Sequence, residues 1–411
     1  MKICLLTYEY PRSSSEAIVS GEVKNSYYLC RGLASAGHDL TVVSVPFLTR
    51  RPKRPHERRQ GGETVFDVPE GRGRSALRYV LRIRNVAEFF ATTLRDTRFD
   101  VVHAESPALA AGAARGMKAA GGRGGTPIVT TAHGTYLPEA LADRDGSRLR
   151  YLARSCSNRL TRRIDQRAFR ASDVTIAASE YQRAELEELY GVDPASLVVI
   201  HNGVDIDLYR PDGPRSGLIG GAGRSEEPTI LFVGRLVPKK GLQHLISAFP
   251  RVLAKAPRAR CVVVGGSKAF DTFGRSLRIL AESAGVSDRV AWLRDVPEPE
   301  MPALYRSADV AVFPSVGYES LPTVVLEAMA CGTPVVATNG WAIPEALGPA
   351  HPGLAAEADP ESIADRVLAL LSDPSLRERA RAIQLERVRA FSLDRVVARH
   401  EELYSRVVAG G

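Results

Sequence analysis

The sequence predicts an α/β protein built from two doubly wound domains. Apolar runs of strand length occur at residues 2–7, 40–45, 229–233, 308–314 and 335–338. Helical patterns separate these runs, and two of them end at Gly37 and Gly332, because glycine tolerates the left-handed backbone of a helix end. Strands that alternate with helices form parallel sheets, and such sheets bind ligands at the carboxyl ends of their strands.

Length and composition indicate a globular protein with more than one core. The chain has 411 residues, of which 44% are hydrophobic and 25% are charged, so fibrous and disordered classes are excluded. Residues 205–228 are rich in proline, glycine and charge, which predicts a boundary between one domain at 1–205 and another at 206–390. The pattern from about residue 378 onward is helical, and 391–411 is predicted to form a C-terminal helix.

Cysteine usage favours a reducing compartment. The five cysteines are scattered and lack the spacing of a disulfide framework or a zinc site: Cys4, Cys30, Cys156, Cys261 and Cys331. The first apolar run is too short for a signal peptide, and no run approaches the ~20 residues of a membrane span. We therefore expect a cytoplasmic protein without a bound metal or cofactor.

Two glutamates flank a predicted helix start in the second domain. The helix begins at Thr323, directly after a buried strand, so its first N–H groups and positive dipole end suit a diphosphate. Glu319 precedes this start and Glu327 follows about one turn later, where carboxylates can accept hydrogen bonds from sugar hydroxyls. The alternative interpretation is that Glu319 and Glu327 are solvated acids that flank the helix without binding a ligand. The predicted phosphate contacts are Ser320, Leu321, Thr323 and Val324.

A basic pair follows the strand at 229–233. Gly234 turns the chain, and Arg235 and Lys240 come five residues apart in the segment GRLVPKKG. An arginine and a lysine could together stabilise negative charge that develops on a leaving group. The alternative interpretation is that they are ordinary charged surface residues, which are common after a strand.

Three polar residues mark strand ends in the first domain. His103 and Glu105 lie in DVVHAESP, and His133 lies in IVTTAHGT. The carboxyl edge of a parallel sheet collects such residues near a ligand, although a single histidine there is more often structural. Glu105 is a candidate on the acceptor side. Gly21 lies in the loop VSGEV, before the helical pattern that ends at Gly37.

These segments, taken in order, resemble retaining GT-B glycosyltransferases of family 4. In that family the first glutamate of a Glu-x7-Glu pattern contacts the transferred sugar and the second contacts the ribose, which by resemblance assigns Glu319 and Glu327. The arginine and lysine that neutralise the diphosphate correspond to Arg235 and Lys240, and the active-site histidine corresponds to His133. The resemblance extends from about residue 3 to about residue 345.

The resemblance implies two Rossmann-like domains facing each other across a cleft. Residues 1–205 would bind the acceptor, 206–390 would bind the nucleotide sugar, and the helix at 391–411 would return to the first domain. Three positions depart from the family pattern. Ser20 stands where a glycine is usual, Pro322 stands where a glycine is frequent, and Arg294 or Asp295 replaces a glycine in the loop that meets the nucleobase.

The expected activity is metal-independent transfer of a hexose or N-acetylhexosamine unit, with retention of configuration. The donor would be a nucleoside-diphosphate sugar, with UDP as the expected nucleotide, and the acceptor a hydroxyl on a small natural-product or aminocyclitol scaffold in a bacterium. A peripheral membrane enzyme with a lipid acceptor, a nucleotide-sugar epimerase on the same fold, and a noncatalytic binding protein remain alternatives.

Positive charge is concentrated in the first domain. Residues 1–210 hold 31 Lys and Arg against 24 Asp and Glu, while the whole chain has a net charge of +8. A solvated surface is favoured over a dock for anionic membranes, and a nucleic-acid partner is not expected. The stretch 76–96 forms an amphipathic pattern that suits either core packing or membrane insertion, and we favour core packing.

Overall fold

The computed structural model of the chain contains two compact α/β units. It describes residues 1–12, 20–46, 52–70, 75–133, 148–218, 227–265 and 271–410. Unit 1 comprises Met1–Arg12, Glu22–His201 and Leu393–Gly411, and unit 2 comprises Ser13–Gly21 and Asn202–Ser392.

Unit 1 is built on an eight-stranded sheet. Its strands are β1 (Lys2–Thr7), β2 (Asp39–Ser44), β3 (His56–Gln60), β4 (Glu63–Asp67), β5 (Val101–Ala104), β6 (Ile128–Ala132), β7 (Val174–Ala177) and β8 (Leu197–Val199). The order across the sheet is β3-β4-β2-β1-β5-β6-β7-β8, and every described pair is parallel except β3 with β4. Strands β1, β5 and β6 are buried almost throughout, as expected for a parallel sheet covered by helices.

The helices of unit 1 follow its strands. They are α1 (Gly21–Ser35, beginning one residue before the unit's own range), α2 (Ser75–Thr92), α3 (Pro107–Ala119), α4 (Arg148–Ala171), α5 (Glu180–Glu185), a π-helical turn (Leu186–Tyr190) and, at the end of the chain, α13 (Leu393–Ala409). The start of helix α3 shows the residue preferences of a helix N-terminus. Ser106 accepts a hydrogen bond from the backbone N–H of Leu109, and Pro107 occupies the first turn, where its missing N–H costs nothing.

Helix α2 contains much of the stretch for which core packing was favoured. Val86, Phe89 and Phe90 are buried in the core of unit 1, which agrees with that expectation. Leu77 and Val80, however, are 57% and 44% exposed. The first turns of α2 therefore present two apolar side chains to solvent.

Unit 2 is built on a six-stranded, fully parallel sheet. Its strands are β9 (Thr229–Val233), β10 (Arg260–Val264), β11 (Val290–Leu293), β12 (Val310–Phe313), β13 (Val335–Thr338) and β14 (Leu354–Ala355). The order β11-β10-β9-β12-β13-β14 is that of a Rossmann fold. The direction of winding reverses between β9 and β12, and this switch point is where such sheets bind ligands.

The helices of unit 2 are α6 (Leu242–Lys255), α7 (Asp271–Ser283), α8 (Met301–Ser307), α9 (Thr323–Ala330), α10 (Ile343–Leu347), α11 (Pro360–Ser372) and α12 (Pro374–Val388). Single 3₁₀ turns occur in unit 1 at Pro194–Ser196 and in unit 2 at Pro238–Lys240, Ser287–Arg289, Glu298–Glu300 and Arg389–Phe391. The predicted helical region from 378 begins earlier, at Pro374, because Asp373 caps the helix by accepting from Ser375 and Leu376.

The predicted strand 308–314 is shorter in the structure. It spans Val310–Phe313, because Ala308 still donates its N–H to the carbonyl of Tyr305 at the end of α8. Asp309 then uses its carboxylate to accept the N–H of Thr229, the first residue of β9. These two bonds fix where β12 starts beside β9.

Among the described helices, none combines the length and the apolar character needed to cross a membrane.

Candidate active site

The carboxyl end of β9 is packed tightly against the end of β10. Gly234 follows β9 and donates its N–H to the carbonyl of Val264 at 3.0 Å. A Cβ placed on Gly265 would lie 1.9 Å from the carbonyl oxygen of Gly234, so only glycine fits there. Gly234 was predicted as a turn residue, whereas Gly265 was not, although a glycine directly after the run CVVV is a visible signal.

A second close approach joins the loop after β9 to the end of β12. Gly241 has a φ of 71°, and a Cβ on it would lie 1.6 Å from the carbonyl oxygen of Pro314. The N–H of Val316 donates to the carbonyl of Lys239 at 2.8 Å. The two loops are therefore fastened backbone to backbone on either side of Lys240.

Because the two loops are held together, the side chain of Lys240 contacts the carboxylate of Glu319. The ammonium Nζ lies 2.6 Å from Oε1 of Glu319, and the hydroxyl of Ser315 donates to the same oxygen at 2.8 Å. Glu319 is only 6% exposed, and its carbonyl accepts the N–H of Ala342 at 3.2 Å. The carboxylate is thus fixed by two side-chain donors, and its backbone is fixed by the loop after β13.

The charges around Lys240 form a compact basic group. Burial lowers the pKa of Lys240, the carboxylate of Glu319 opposes that shift, and the neighbouring cations Lys239 and Arg235 add to the lowering. Arg235 therefore lies close enough to Lys240 to act on its charge. An anion placed here would relieve the repulsion among the three cations.

Helix α9 begins beside this group. Pro322 precedes it and accepts the N–H of Val325 at 3.1 Å, so the N–H groups of Thr323 and Val324 belong to the first turn, which has no intrahelical acceptors. The carbonyl of Leu321 accepts from the side-chain amide of Asn202 at 2.7 Å. Asn202 thus holds the loop that carries the helix start.

Ser320 and Gly21 border the same helix start. Ser320 lies in the loop between Glu319 and Leu321 and is half-buried. A Cβ on Gly21 would lie 3.0 Å from Oγ1 of Thr323, a tight contact in which the neighbour would have to shift. The role that the family resemblance implies for Gly21, letting the backbone approach the donor phosphate, stays a prediction.

Glu327 is held by a different set of side chains. Its Oε2 accepts the hydroxyl of Tyr305 at 2.9 Å, and the carboxylate is fully buried. Tyr209 packs edge-on against Tyr305, with ring centroids 6.1 Å apart, and donates its hydroxyl to Glu298 at 2.6 Å. None of these three partners was predicted from the sequence, because no local pattern links them to Glu327.

Three of the described residues that follow strand ends adopt a left-handed backbone without being glycine. Asp295, after β11, has a φ of 50°, and Trp341, after β13, and Ala358, after β14, each have a φ of 53°. Aspartate tolerates this region better than most residues, so the loop keeps a glycine-like backbone where the family usually has glycine. A tryptophan in this region is strained, and such strain concentrates at functional sites.

In unit 1, His133 and Glu105 form an ion pair at the end of β6 and β5. Nε2 of His133 bonds Oε2 of Glu105, and Oε1 of Glu105 lies 3.6 Å from Nε2 of His103. Glu105 is 2% exposed, so its carboxylate is occupied by the two imidazoles within the unit. Its suggested place on the acceptor side stays a prediction.

Known proteins share both halves of this architecture. Residues 20–208 match the family described as Glycosyltransferase Family 4, and residues 221–386 match the family described as Glycosyl transferases group 1. The chain belongs to glycosyltransferase family 4. This membership confirms the resemblance drawn from the motifs, and both matches lie over the predicted site residues.

Curated relatives of this family 4 chain include enzymes named for inositol-bearing acceptors. A D-inositol 3-phosphate glycosyltransferase 2 of Catenulispora acidiphila is 35% identical over 50% of this chain and 49% of its own length. A GDP-mannose-dependent phosphatidylinositol monomannoside mannosyltransferase of Mycobacterium tuberculosis is 34% identical over 54% and 58%. The matched region thus spans about half of each relative.

Solved structures confirm the fold of this family 4 chain. Sucrose-phosphate synthase of Thermosynechococcus elongatus aligns with a TM-score of 0.81 at 20% identity, covering 100% of both chains. Anabaena HepE in complex with UDP and glucose aligns with a TM-score of 0.73 at 20% identity, covering 98% of this chain and 99% of that one. The fold is therefore of the GT-B type, as predicted, with two α/β units that are each built on a largely parallel sheet.

Proposed function

We propose that this protein transfers a hexose or N-acetylhexosamine unit from a nucleoside-diphosphate sugar to an acceptor hydroxyl, with retention of configuration. The observation that carries the proposal is the cluster of Lys240, Glu319 and Ser315 at the switch point of unit 2, beside the start of α9. A basic group, a helix start and a fixed carboxylate together match a diphosphate joined to a sugar.

In the proposed reaction the acceptor oxygen bonds to the anomeric carbon while the bond from that carbon to the diphosphate breaks. The leaving phosphate oxygen takes the proton of the acceptor hydroxyl, so no further reactant is needed. Arg235 and Lys240 stabilise the charge that develops on the diphosphate, and the first turn of α9 adds its N–H groups. Glu319 is already paired with Lys240, which suits orienting a sugar hydroxyl better than attacking carbon.

For the donor, we propose UDP as the expected nucleotide and GDP as the competitor, since one relative is named as GDP-mannose-dependent. For the acceptor, we propose a cyclitol hydroxyl, since two relatives carry inositol in the names of their acceptors. A small soluble cyclitol is preferred over the same ring in a lipid. Buried free thiols such as Cys4 and Cys261 favour the cytoplasm as the compartment.

A donor-by-acceptor screen tests this function. The protein is incubated with UDP- and GDP-sugars and a panel of cyclitols and aminocyclitols, and products are identified by mass spectrometry. We expect one acceptor to gain a hexose-type mass together with release of the nucleoside diphosphate. Sugar interconversion without any acceptor product would instead indicate an epimerase.

We expect turnover to continue in excess EDTA. The groups proposed to stabilise the leaving group, Arg235 and Lys240, belong to the protein, and in the described part of the chain no cluster of His, Cys, Asp and Glu suits a metal. Initial rates with and without chelator, followed by magnesium or manganese, provide the measurement. A loss that either metal restores would show that the reaction needs a cation.

We expect little binding to lipid vesicles, because most apolar residues of α2 face the core. Lys53 and Arg54 are exposed, and Leu77 and Val80 are exposed as well, so co-sedimentation at low salt is a sharp test. Strong binding to anionic but not zwitterionic vesicles would favour a lipid acceptor. The matched variant changes Lys53 and Arg54, together with Arg50 and Arg51, which lie outside the described residues, to serine.

A further inference from the structure

A chain of polar side chains in close contact runs through unit 1 from the C-terminal helix to His133. Tyr404, on α13, has its hydroxyl 2.6 Å from Nδ1 of His103, and Nε2 of His103 lies 2.7 Å from Oγ1 of Thr131. Glu105 comes next, with Oε1 at 3.6 Å from the same Nε2 and Oε2 bonded to His133. All of these groups are buried except His133, which is partly open.

The ring of His103, in the middle of this chain of contacts, is neutral. Burial lowers the pKa of His103 to about 4, so at neutral pH its ring carries one proton. Its Nε2 faces Thr131 and, at 3.6 Å, the carboxylate of Glu105, and its Nδ1 faces the hydroxyl of Tyr404. His400, on α13, stacks on His103 with ring centroids 5.6 Å apart and bonds the carbonyl of Val396 through Nδ1.

We propose that Glu105 is a positioning residue that holds His133 as an imidazolium, with the buried ring of His103 on the other side of the Glu105 carboxylate. The proposal rests on the proposed transfer only for its consequence in catalysis. A protonated ring carries a positive charge and an N–H donor on each nitrogen, one of which bonds Glu105, whereas a neutral ring carries no charge and a single donor.

The charges that face His133 support this state. Burial lowers the pKa of His133, but Glu105 and, more weakly, Glu22 at the start of α1 raise it, and the net direction is upward. Burial likewise raises the pKa of Glu105, yet His133 and His103 overcome this and lower it to about 2. His103 and His400, the other titratable rings close to the pair, are neutral because burial lowers the pKa of both.

The ion pair can be tested without any substrate. The full chain is labelled on its histidine rings, and the His133 resonance, assigned with His133→Gln, is followed by NMR from pH 4 to pH 9. We expect its midpoint above 6.5 in the unmodified protein. In Glu105→Gln, which keeps the shape of the side chain, the midpoint is expected to fall by at least about one pH unit, a tenfold loss of proton affinity.

Two outcomes would overturn the proposal. One is a wild-type His133 midpoint at or below 6.5, a measurement that stands even if Glu105→Gln does not fold. The other is the same midpoint in Glu105→Gln as in Glu88→Gln, an exposed carboxylate change on α2 that serves as the matched control. Because no donor or acceptor is present, failure here leaves the proposed transfer untouched, and failure of the transfer leaves this result standing.

Once an acceptor is known, the same variant has a kinetic signature. The alkaline limb of the kcat profile should move to lower pH in Glu105→Gln, because His133 loses its proton earlier. A merely structural role for Glu105 would lower kcat at every pH without moving that limb, and this outcome would contradict the proposal.

Discussion

Replacing Glu319 with alanine is expected to lower kcat by at least about 100-fold, because the change removes a charge-assisted contact from a site that is shielded from water. Glu319 is bonded by Lys240 at 2.6 Å and by Ser315 at 2.8 Å, so it is fixed before any donor binds. Lys240→Ala is expected to have an effect of the same size, since it removes the cation facing the leaving diphosphate. Initial rates at saturating donor measure both.

Two control variants show whether a fall in kcat comes from the site itself or from the loss of any ion pair in unit 2. Glu319→Gln keeps the size of the side chain and its bond from Ser315 but not its charge, and it should also be slow. Asp365→Ala breaks an exposed ion pair with Arg251 in the same unit and should leave kcat unchanged. Near-wild-type rates in both Glu319→Ala and Lys240→Ala would refute the assignment of this site to the donor.

Gly241→Ala is expected to destabilise unit 2 by about 3 kcal/mol or more, and to impair the site as well. Gly241 has a φ of 71°, and the added Cβ would lie 1.6 Å from the carbonyl oxygen of Pro314. The backbone must move to relieve that overlap, and the movement would separate Lys240 from the end of β12. Denaturant unfolding and the rate at saturating donor report the two consequences.

Gly285→Ala is the matched control for this change. Gly285 has a similar φ of 68°, but nothing lies within 4 Å of the position of a Cβ. Only the intrinsic cost of a left-handed alanine remains, roughly 1 kcal/mol. Equal losses in the two variants would show that the contact with Pro314 does not hold the two loops together.

Local chemistry explains which parts of the fold were predictable. Strands such as β1 and β9 match the predicted apolar runs, and Gly332 ends α9 at a φ of 67°, because both features depend on neighbouring residues. The start of β12 was predicted two residues early. Its position depends on the bond between Asp309 and Thr229, which are 80 residues apart.

In the candidate site, too, individual residues were predictable from the sequence, whereas contacts between distant residues were not. Lys240 and Glu319 were each predicted to act on a nucleotide sugar, but their direct contact spans 79 residues and follows from the order of β9 and β12 in the sheet. The enclosure of the Glu105 carboxylate by His133 and His103 was not predicted. That enclosure depends on the register of β5 against β6, which pairs His103 with Val129 and which no single motif encodes.

Binding of nucleoside diphosphates tests the central claim most directly, because it needs no knowledge of the acceptor. UDP, GDP and ADP are titrated by calorimetry into the wild-type protein, Lys240→Ala and Asp365→Ala. We expect at least one nucleotide to bind the wild-type protein and Asp365→Ala equally, and to bind Lys240→Ala at least about tenfold more weakly, since a charge-assisted contact is lost. Absence of binding by all three nucleotides at millimolar concentration, or equal affinity in Lys240→Ala, would contradict a donor site at the end of β9 and β12.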